Sequence, residues 1–218
     1  IAASIFMPMA ERLGLSSRLD KLTAGILLDY LDKNDTADIH ALNLSAGALH
    51  DAVFIQWLCS RLEKSPALTG RLQIEFPEYA VQANIQITRN LVERLGSMGY
   101  HCGIDHFGSG FSSFGYLRSL KVKYLKIDGS LTHQIDTDED NQFLVRSLTD
   151  MAHSIDIEVI AQAVESPGER AAFESLGIDG IQGYLTGKPE PVKLNGKYRM
   201  SSSSTIRLSS TFRSLRIC

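Results

Sequence analysis

The chain alternates short apolar runs with longer segments in which apolar residues recur every three or four positions. This alternation is typical of β-strands that are each followed by an amphipathic helix, and therefore of parallel β/α units. Six apolar runs carry a polar side chain near their carboxyl end: residues 39–45, 72–76, the run that ends at Asp105, 122–128, 158–163 and 180–184. We predict one strand for each run.

The segments between these runs carry helix signals. We predict helices over residues 51–64, 84–98 and 138–154. A fourth helix is expected to begin at Ser166, because a proline follows this serine and Glu169 stands three positions later, which is the sequence of a capping box. Helices and strands therefore alternate along most of the chain.

The polar side chains at the carboxyl ends of the strands favour a barrel over an open sheet. In a β/α barrel these ends converge on one mouth, where the chemistry takes place. We therefore expect an α/β fold of the TIM-barrel type in which six of the usual eight strands are present. Residues 1–192 form this barrel domain in our interpretation.

The segment 193–218 differs from the barrel domain in charge and composition. It contains six basic and no acidic residues, includes four consecutive serines (201–204), and has little apolar periodicity. We interpret it as a basic, serine-rich flexible tail, with a functional basic arm as the alternative.

Composition narrows the possible partners. No apolar run reaches the roughly 20 residues of a membrane span, so we expect no membrane contact by this segment. The basic residues of 193–218 partly offset a larger net negative charge on residues 1–192. Because that domain is acidic, we do not expect duplex nucleic acid as a partner. Three widely spaced cysteines offer neither a zinc site nor a disulfide framework, which suits a reducing compartment and predicts a cytoplasmic location.

Three hard oxygen donors stand at the ends of successive predicted strands, namely Asn43, Glu75 and Asp105. Mg²⁺ and Mn²⁺ prefer such ligands, and a phosphodiester substrate suits such metals because the cation neutralises phosphate oxygens and activates water. Lys126, at the end of the fourth strand, could place a positive charge beside a phosphate or the attacking water.

Seven short motifs occur in a fixed order along the chain. They are Asn43-Leu44-Ser45, Ile74-Glu75-x-x-Glu78, Asp105-x-Phe107-Gly108-x-Gly110-x-Ser112-Ser113, Tyr116-Leu117, Leu125-Lys126-Ile127-Asp128, Ala161-x-x-Val164-Glu165 and Gln182-Gly183-Tyr184-x-x-Gly187-x-Pro189. In order and spacing they resemble the EAL-domain family of cyclic di-GMP phosphodiesterases, over about residues 1–192.

The resemblance implies a modified TIM barrel that binds cyclic di-GMP and, in active members, opens it to linear pGpG with Mg²⁺ or Mn²⁺. It assigns metal ligation to Asn43, Glu75 and Asp105. It places Lys126 near the attacking water and gives Glu78 a role in stabilising a flexible loop. The ligand-binding positions that it implies are Gln182, Asp128 and Pro189.

The sequence departs from the family pattern at positions that matter for catalysis. The family's Asp-Asp pair is Asp105-His106 here, and Gln162 stands where the family has a glutamate. Glutamine cannot accept a proton, and loss of a general base commonly removes about 10²- to 10⁴-fold of rate. His106 is either a replacement ligand for a softer metal or a sign of relaxed catalytic constraint. A loop threonine of the family is Pro77.

The Glu-Ala-Leu motif that names the family is absent from the sequence. The first residues resemble a segment that follows the family's first two strands, which accounts for the count of six. A six-stranded barrel has two open sheet edges, so we expect residues 1–192 alone to associate with themselves.

The favoured hypothesis is a degenerate EAL domain, a cyclic di-GMP receptor or regulatory pseudo-enzyme that is similar to LapD-type receptors. One alternative is a weak phosphodiesterase that depends on Mg²⁺ or Mn²⁺ and produces pGpG. Another is an interaction scaffold that binds no nucleotide. The expected partners are cyclic di-GMP together with a second copy of the chain or other signalling domains of a longer protein.

Overall fold

The computed structural model describes residues 3–34, 39–110, 114–188, 190–194, 198–202, 205–208 and 215–217, with side chains from residue 6 to residue 188 of these ranges. Two helices open the chain, α1 (Ala3–Arg12) and α2 (Ser16–Lys33). Gly14 turns the chain between them with a φ of +65°, a conformation that glycine adopts without steric cost.

Six parallel strands form the curled sheet of the barrel, as the alternating pattern predicts. They are β1 (Ile39–Asn43), β2 (Leu72–Pro77), β3 (His101–Phe107), β4 (Tyr124–Ile127), β5 (Glu158–Ala161) and β6 (Gly180–Gln182). Each pairs in parallel with the next along the chain. The predicted fold class, a TIM-barrel-like α/β fold with six parallel strands, is confirmed.

Helices connect these strands on the outside of the sheet. They are α3 (Ala46–His50), α4 (Ala52–Glu63), α5 (Glu78–Ala83), α6 (Ile85–Ser97), α7 (Gly129–Thr132), α8 (Glu139–His153) and α9 (Pro167–Ser175), with 3₁₀ turns at Pro66–Leu68 and Phe114–Ser119. The three long predicted helices correspond to α4, α6 and α8. The short helices α3, α5 and α7 were not predicted, because four to six residues are too few to show a helical period.

The capping box predicted at Ser166 is present and does more than begin α9. The Ser166 hydroxyl accepts from the N–H of Glu169, and the Glu169 carboxylate accepts from the N–H groups of Glu165 (2.8 Å) and Ser166 (3.0 Å). The same carboxylate also accepts from the N–H of Gln134, at 3.1 Å, in the loop before α8. Glu169 thus ties together two loops on neighbouring β/α units.

Four further strands lie beyond the parallel sheet. The strands β7 (Glu190–Leu194) and β8 (Tyr198–Ser202) form an antiparallel pair, whereas β9 (Thr205–Leu208) pairs antiparallel with β6, and β10 (Leu215–Ile217) pairs with β9 and, in parallel, with β1. The barrel is closed in this way. Backbone groups at the edges of β1 and β6 thus find partners in the segment 193–218. The division into a domain over 1–192 and a tail over 193–218 stays a prediction.

A continuous apolar core fills the space between the sheet and the helices. It includes two free thiols, Cys59 on α4 and Cys102 on β3, both of which are buried. Burial raises the pKa of Cys102 to about 12. None of the helices in the described part of the chain combines the length and apolar character needed to cross a membrane.

The end of β3 is irregular, and this irregularity shapes the mouth of the barrel. The register with β4 shifts between Ile104 and Phe107, and His106 adopts a φ of +55°. Such bulges re-aim side chains next to functional sites. Asp105 is consequently buried at the mouth, while the neighbouring His106 side chain stays exposed.

Candidate functional site

Three charged side chains from adjacent strands meet inside the mouth of the barrel. The Lys126 ammonium on β4 lies 2.8 Å from Glu75 Oε2 on β2 and 3.4 Å from Asp105 Oδ1 on β3. All three side chains are buried, Glu75 completely. Parallel strands end at one edge of a sheet, which is why residues far apart in the sequence converge here.

Tyr124 completes this charged cluster, and the sequence analysis did not single it out. Its hydroxyl donates to Glu75 Oε1 at 2.7 Å. The ring lies against Gly103, where an added Cβ would come within 2.4 Å of ring atoms. Tyr124 stands two residues before Lys126 on the same strand and therefore faces the same side, a signal that could have identified it.

Burial and charge act in opposite directions on the ion pair. Burial lowers the pKa of Lys126, but the carboxylates of Glu75 and Asp105 outweigh burial, so that the pKa of this ammonium is raised. Burial also raises the pKa of Glu75, against the stabilising contacts from Lys126 and Tyr124. The raised pKa of Lys126 keeps its ammonium charged where it bonds to the two carboxyl groups.

Gln162, immediately after β5, is brought into direct contact with this cluster. Its Nε2 donates to Asp105 Oδ1 at 2.7 Å. Its Oε1 is buried and has no hydrogen-bond partner among the residues that the structure describes. The next residue, Ala163, has a φ of +57°, so both Gln162 and Asp105 precede a residue in the left-handed region.

His106 connects β3 to the end of β4. Its Nδ1 lies 2.8 Å from Asp128 Oδ2, and its Nε2 lies 3.6 Å from Asp105 Oδ2. Asp128 also accepts from the N–H of Ser130 and so caps α7. Burial opposes the charge of Asp128, but these donors outweigh burial and lower its pKa.

A cavity of about 500 Å³ opens beside the charged cluster, on the side of β4, β5 and β6. It is lined by His106, Asp128, Gly129, Gln162, Ala163, Glu165, Gln182, Gly183 and Tyr184. Gly183 is required where it stands, because a Cβ there would come within 2.1 Å of the Val164 carbonyl oxygen. The predicted ligand-binding residues Asp128 and Gln182 therefore share one cavity with Gln162. Pro189, the third of that group, lies outside the described residues.

The structure places Asn43 less centrally than the other predicted metal ligands. It ends β1 in register with Glu75, but the residue is exposed, whereas Glu75 and Asp105 are buried. The mouth therefore brings together Glu75, Asp105 and Lys126 in direct contact, with Asn43 at its rim.

Glu78, at the start of α5, contacts both sides of the loop after β3. Its Oε2 accepts from the N–H of Gly108 at 2.9 Å, and its Oε1 accepts from the Tyr116 hydroxyl at 2.8 Å. This geometry suits the loop-stabilising role expected for Glu78, which remains a proposal. Pro77 precedes it as the last residue of β2.

The profile of the EAL domain family matches residues 1–189. The chain belongs to the EAL domain family. Cyclic di-GMP phosphodiesterase PdeF of Escherichia coli K12 is 32% identical to this EAL domain in an alignment of 195 residues that covers 88% of the chain and 26% of PdeF. The chain spans about a quarter of the length of this and other curated relatives that it matches.

Solved structures of other EAL proteins share the fold. Vibrio cholerae LapD, described as an S helix-GGDEF-EAL protein bound to c-di-GMP, is 26% identical with a TM-score of 0.79, covering 85% of this chain and 45% of that one. Klebsiella pneumoniae BlrP1, described as a manganese and c-di-GMP complex, is 25% identical with a TM-score of 0.71, covering 79% of this chain and 44% of that one.

The side chains of this EAL domain do not fit the metal centre expected for it. Within the described ranges, no group of three or more His, Cys, Asp or Glu side chains is placed to hold a metal ion. Glu75 and Asp105, the carboxylates available for a cation, already accept bonds from Lys126, Tyr124 and Gln162. A divalent ion bound through Glu75 or through Asp105 Oδ1 would have to displace these donors.

Proposed function

We propose that this EAL domain is a cyclic di-GMP receptor in bacterial second-messenger signalling, and that it hydrolyses the dinucleotide at or near the background rate. The observation that carries the proposal is the Gln162 amide, which stands where the family has a glutamate and donates to Asp105. An amide cannot act as a general base. The partners in this proposal are cyclic di-GMP and other signalling domains of a longer protein. The expected homodimer stays a prediction.

The cavity supports ligand recognition even without catalysis. Its volume lies within the range of about 300–1,000 Å³ that is typical of small-molecule sites. Gln182 offers a buried amide, Asp128 offers a carboxylate, and the exposed ring of Tyr184 offers a surface on which a base could stack. LapD, described as bound to c-di-GMP, is similar to this chain at 26% identity.

The second candidate function is a weak phosphodiesterase that depends on Mg²⁺ or Mn²⁺. It is favoured by the relatives that are phosphodiesterases, PdeF among them. In that case Asn43, Glu75 and Asp105 would hold the ion. The donors that already occupy Glu75 and Asp105 weigh against it.

Calorimetric titration with cyclic di-GMP, in EDTA and in Mg²⁺ or Mn²⁺, tests the proposal together with chromatography of the same mixtures. We expect saturable binding in every buffer and no pGpG above the blank. Turnover comparable to that of an active phosphodiesterase such as PdeF would refute the receptor proposal. Absence of binding in every buffer would favour the scaffold alternative.

A pair of variants locates the binding site. Gln182→Leu removes a buried amide of the cavity, whereas Gln86→Leu changes an exposed residue of α6. We expect the first to weaken binding by about tenfold or more, since an unmatched polar group of the ligand costs roughly 1–3 kcal/mol, and the second to leave it unchanged. Equal affinity of both variants would exclude this cavity.

A further inference from the structure

Asp105 Oδ1 is already surrounded by donors from its own chain. It accepts from Gln162 Nε2 at 2.7 Å and from the N–H of His106 at 3.1 Å, and the Lys126 ammonium lies at 3.4 Å. A carboxylate oxygen has two lone pairs in its plane, so three donors leave little capacity for a further ligand.

We propose that Gln162 excludes a divalent cation from the mouth of this barrel, where the Lys126 ammonium already lies between Glu75 and Asp105. Lys126 supplies the positive charge between Glu75 and Asp105. Gln162 supplies the donor that keeps Asp105 Oδ1 occupied. Lys126 therefore offsets part of the carboxylate charge of the mouth, and Gln162 bonds to Asp105 Oδ1 without adding charge.

The orientation of the Gln162 amide supports this assignment. If the amide were turned over, Oε1 would face Asp105 Oδ1 at hydrogen-bonding distance and two acceptors would repel each other. In the observed orientation Oε1 is instead left buried without a partner among the described residues. Burying an acceptor without a hydrogen-bond partner is unfavourable. The donor contact to Asp105 thus fixes the amide in an orientation that is otherwise unfavourable.

Glutamate has the same shape as glutamine but the opposite effect at this position. A carboxylate in place of the Gln162 amide would bring an oxygen within 2.7 Å of Asp105 Oδ1, judged from the present contact. Two ionised carboxylates at that distance require a proton or a cation between them. The exchange of one amide nitrogen for oxygen therefore converts a site that rejects a divalent ion into one that attracts it.

The test is a titration with Mn²⁺ alone, without nucleotide, of the wild-type chain and of Gln162→Glu. Free Mn²⁺ is measured by electron paramagnetic resonance and the Tm by thermal denaturation. We expect the Mn²⁺ dissociation constant to be about 10- to 100-fold lower for Gln162→Glu, the factor by which a disturbed metal environment commonly changes affinity. The Tm of this variant should rise with Mn²⁺, whereas that of the wild type should not.

Gln86→Glu is the matched control, because it adds the same charge on the exposed face of α6. It should bind Mn²⁺ no better than the wild type. A folded Gln162→Glu with the same Mn²⁺ affinity as the wild type would overturn the proposal.

Gln162→Glu could fail to fold without metal, and the test then continues in two ways. Refolding in Mn²⁺ but not in EDTA would support the proposal. Gln162→Ala removes the donor without adding a charge, and it should bind Mn²⁺ more tightly than the wild type does. Failure of Gln162→Glu to refold in Mn²⁺, together with a wild-type affinity for Gln162→Ala, would refute the proposal.

This inference concerns the mouth itself and goes beyond the receptor proposal. If the wild type rejects Mn²⁺ but does not bind cyclic di-GMP, the inference holds and the receptor proposal fails. If the wild type binds cyclic di-GMP only when Mn²⁺ is present, the receptor proposal holds and the inference about Gln162 fails.

Discussion

The ion pair of Lys126 with Glu75 is a buried contact that is costly to break. Both side chains are almost wholly buried and both are held by further bonds. Removing one member of such a pair leaves a charge in a medium that cannot solvate it. The pair is therefore a requirement of the mouth, although it contributes little net stability when intact.

Lys126→Met is expected to destabilise the fold by about 3–5 kcal/mol, because Glu75 would be left buried without its cation. Urea denaturation at pH 7 measures this loss. Lys126→Met combined with Glu75→Gln removes both charges and should recover a large part of it. Equal stability of the single and double variants would show that the charge on Glu75 is not the cause.

The buried carboxylate of Glu169 is held by backbone N–H groups of two loops. Burial opposes its charge, but three backbone donors outweigh burial and lower its pKa. A carboxylate with a lowered pKa in the folded state stabilises the protein above its unfolded pKa, which is about 4.3 for glutamate, and this contribution is lost as the pH falls through the folded value.

Glu169→Gln should therefore lower the unfolding free energy by about 1–3 kcal/mol at pH 7. The difference from the wild type should shrink below about pH 4, where the wild-type carboxylate takes up its proton. Glu174→Gln, an exposed substitution on the same helix, should cost less than about 1 kcal/mol at any pH. A difference for Glu169→Gln that is independent of pH would contradict the assignment.

The sequence was sufficient to locate Glu75, Asp105 and Lys126 at strand ends, because parallel strands place their carboxyl ends at one mouth. It could not show that Lys126 bonds to both carboxylates, since that contact depends on the distances between three strands. Tyr124 was missed although it stands two residues before Lys126 and so faces the same side of β4. Its bond to Glu75 could not be predicted, because it depends on the space that Gly103 leaves. The exposure of Asn43 likewise depends on the curvature of the sheet.

At the scale of elements, β3 and β4 pack closely because Gly103 has no side chain where the Tyr124 ring lies. Gly103 is buried in β3 and its φ lies outside the left-handed region, so its backbone would accept alanine. The nearest atoms to an added Cβ there belong to the Tyr124 ring. The sequence pattern predicts where strands run and which helices are capped, as at Ser166. It cannot predict which side chains on a neighbouring strand need the space that a glycine leaves.

Gly103→Ala should destabilise the domain by about 1–3 kcal/mol, because the new methyl group displaces the Tyr124 ring from Glu75. Gly96→Ala on α6 is the control, since nothing lies within 4 Å of its added Cβ, and it should be neutral or stabilising by up to about 1 kcal/mol. Thermal denaturation distinguishes the two. If Gly103→Ala is also neutral, the ring can move at no cost.

At the scale of the whole molecule, the strands β9 and β10 cover the two edges that the parallel sheet would leave open. Open edges expose unpaired backbone donors and acceptors and promote pairing with other chains. The composition of residues 193–218 gave no sign of this pairing, because serine-rich basic sequence has little apolar periodicity. Edge coverage depends on backbone hydrogen bonds, which side-chain patterns record poorly.

A chain that ends at residue 192 should therefore associate through its open sheet edges, whereas the chain of 218 residues should not associate in this way. Light scattering at matched concentration compares the two. A well-behaved monomer of the shorter chain with an unchanged Tm would support the flexible tail predicted from the sequence. It would also show that six strands protect their own edges.

The two buried thiols make the opening of the barrel measurable as a reaction rate. Cys59 and Cys102 can react with a thiol reagent only when their surroundings open, because both are shielded and the Cys102 thiolate is disfavoured. In a Cys218→Ser background, saturating cyclic di-GMP should slow the labelling of Cys102 more than that of Cys59, since β3 leads directly to the mouth. Equal slowing at both positions would mean that the barrel opens as a single unit.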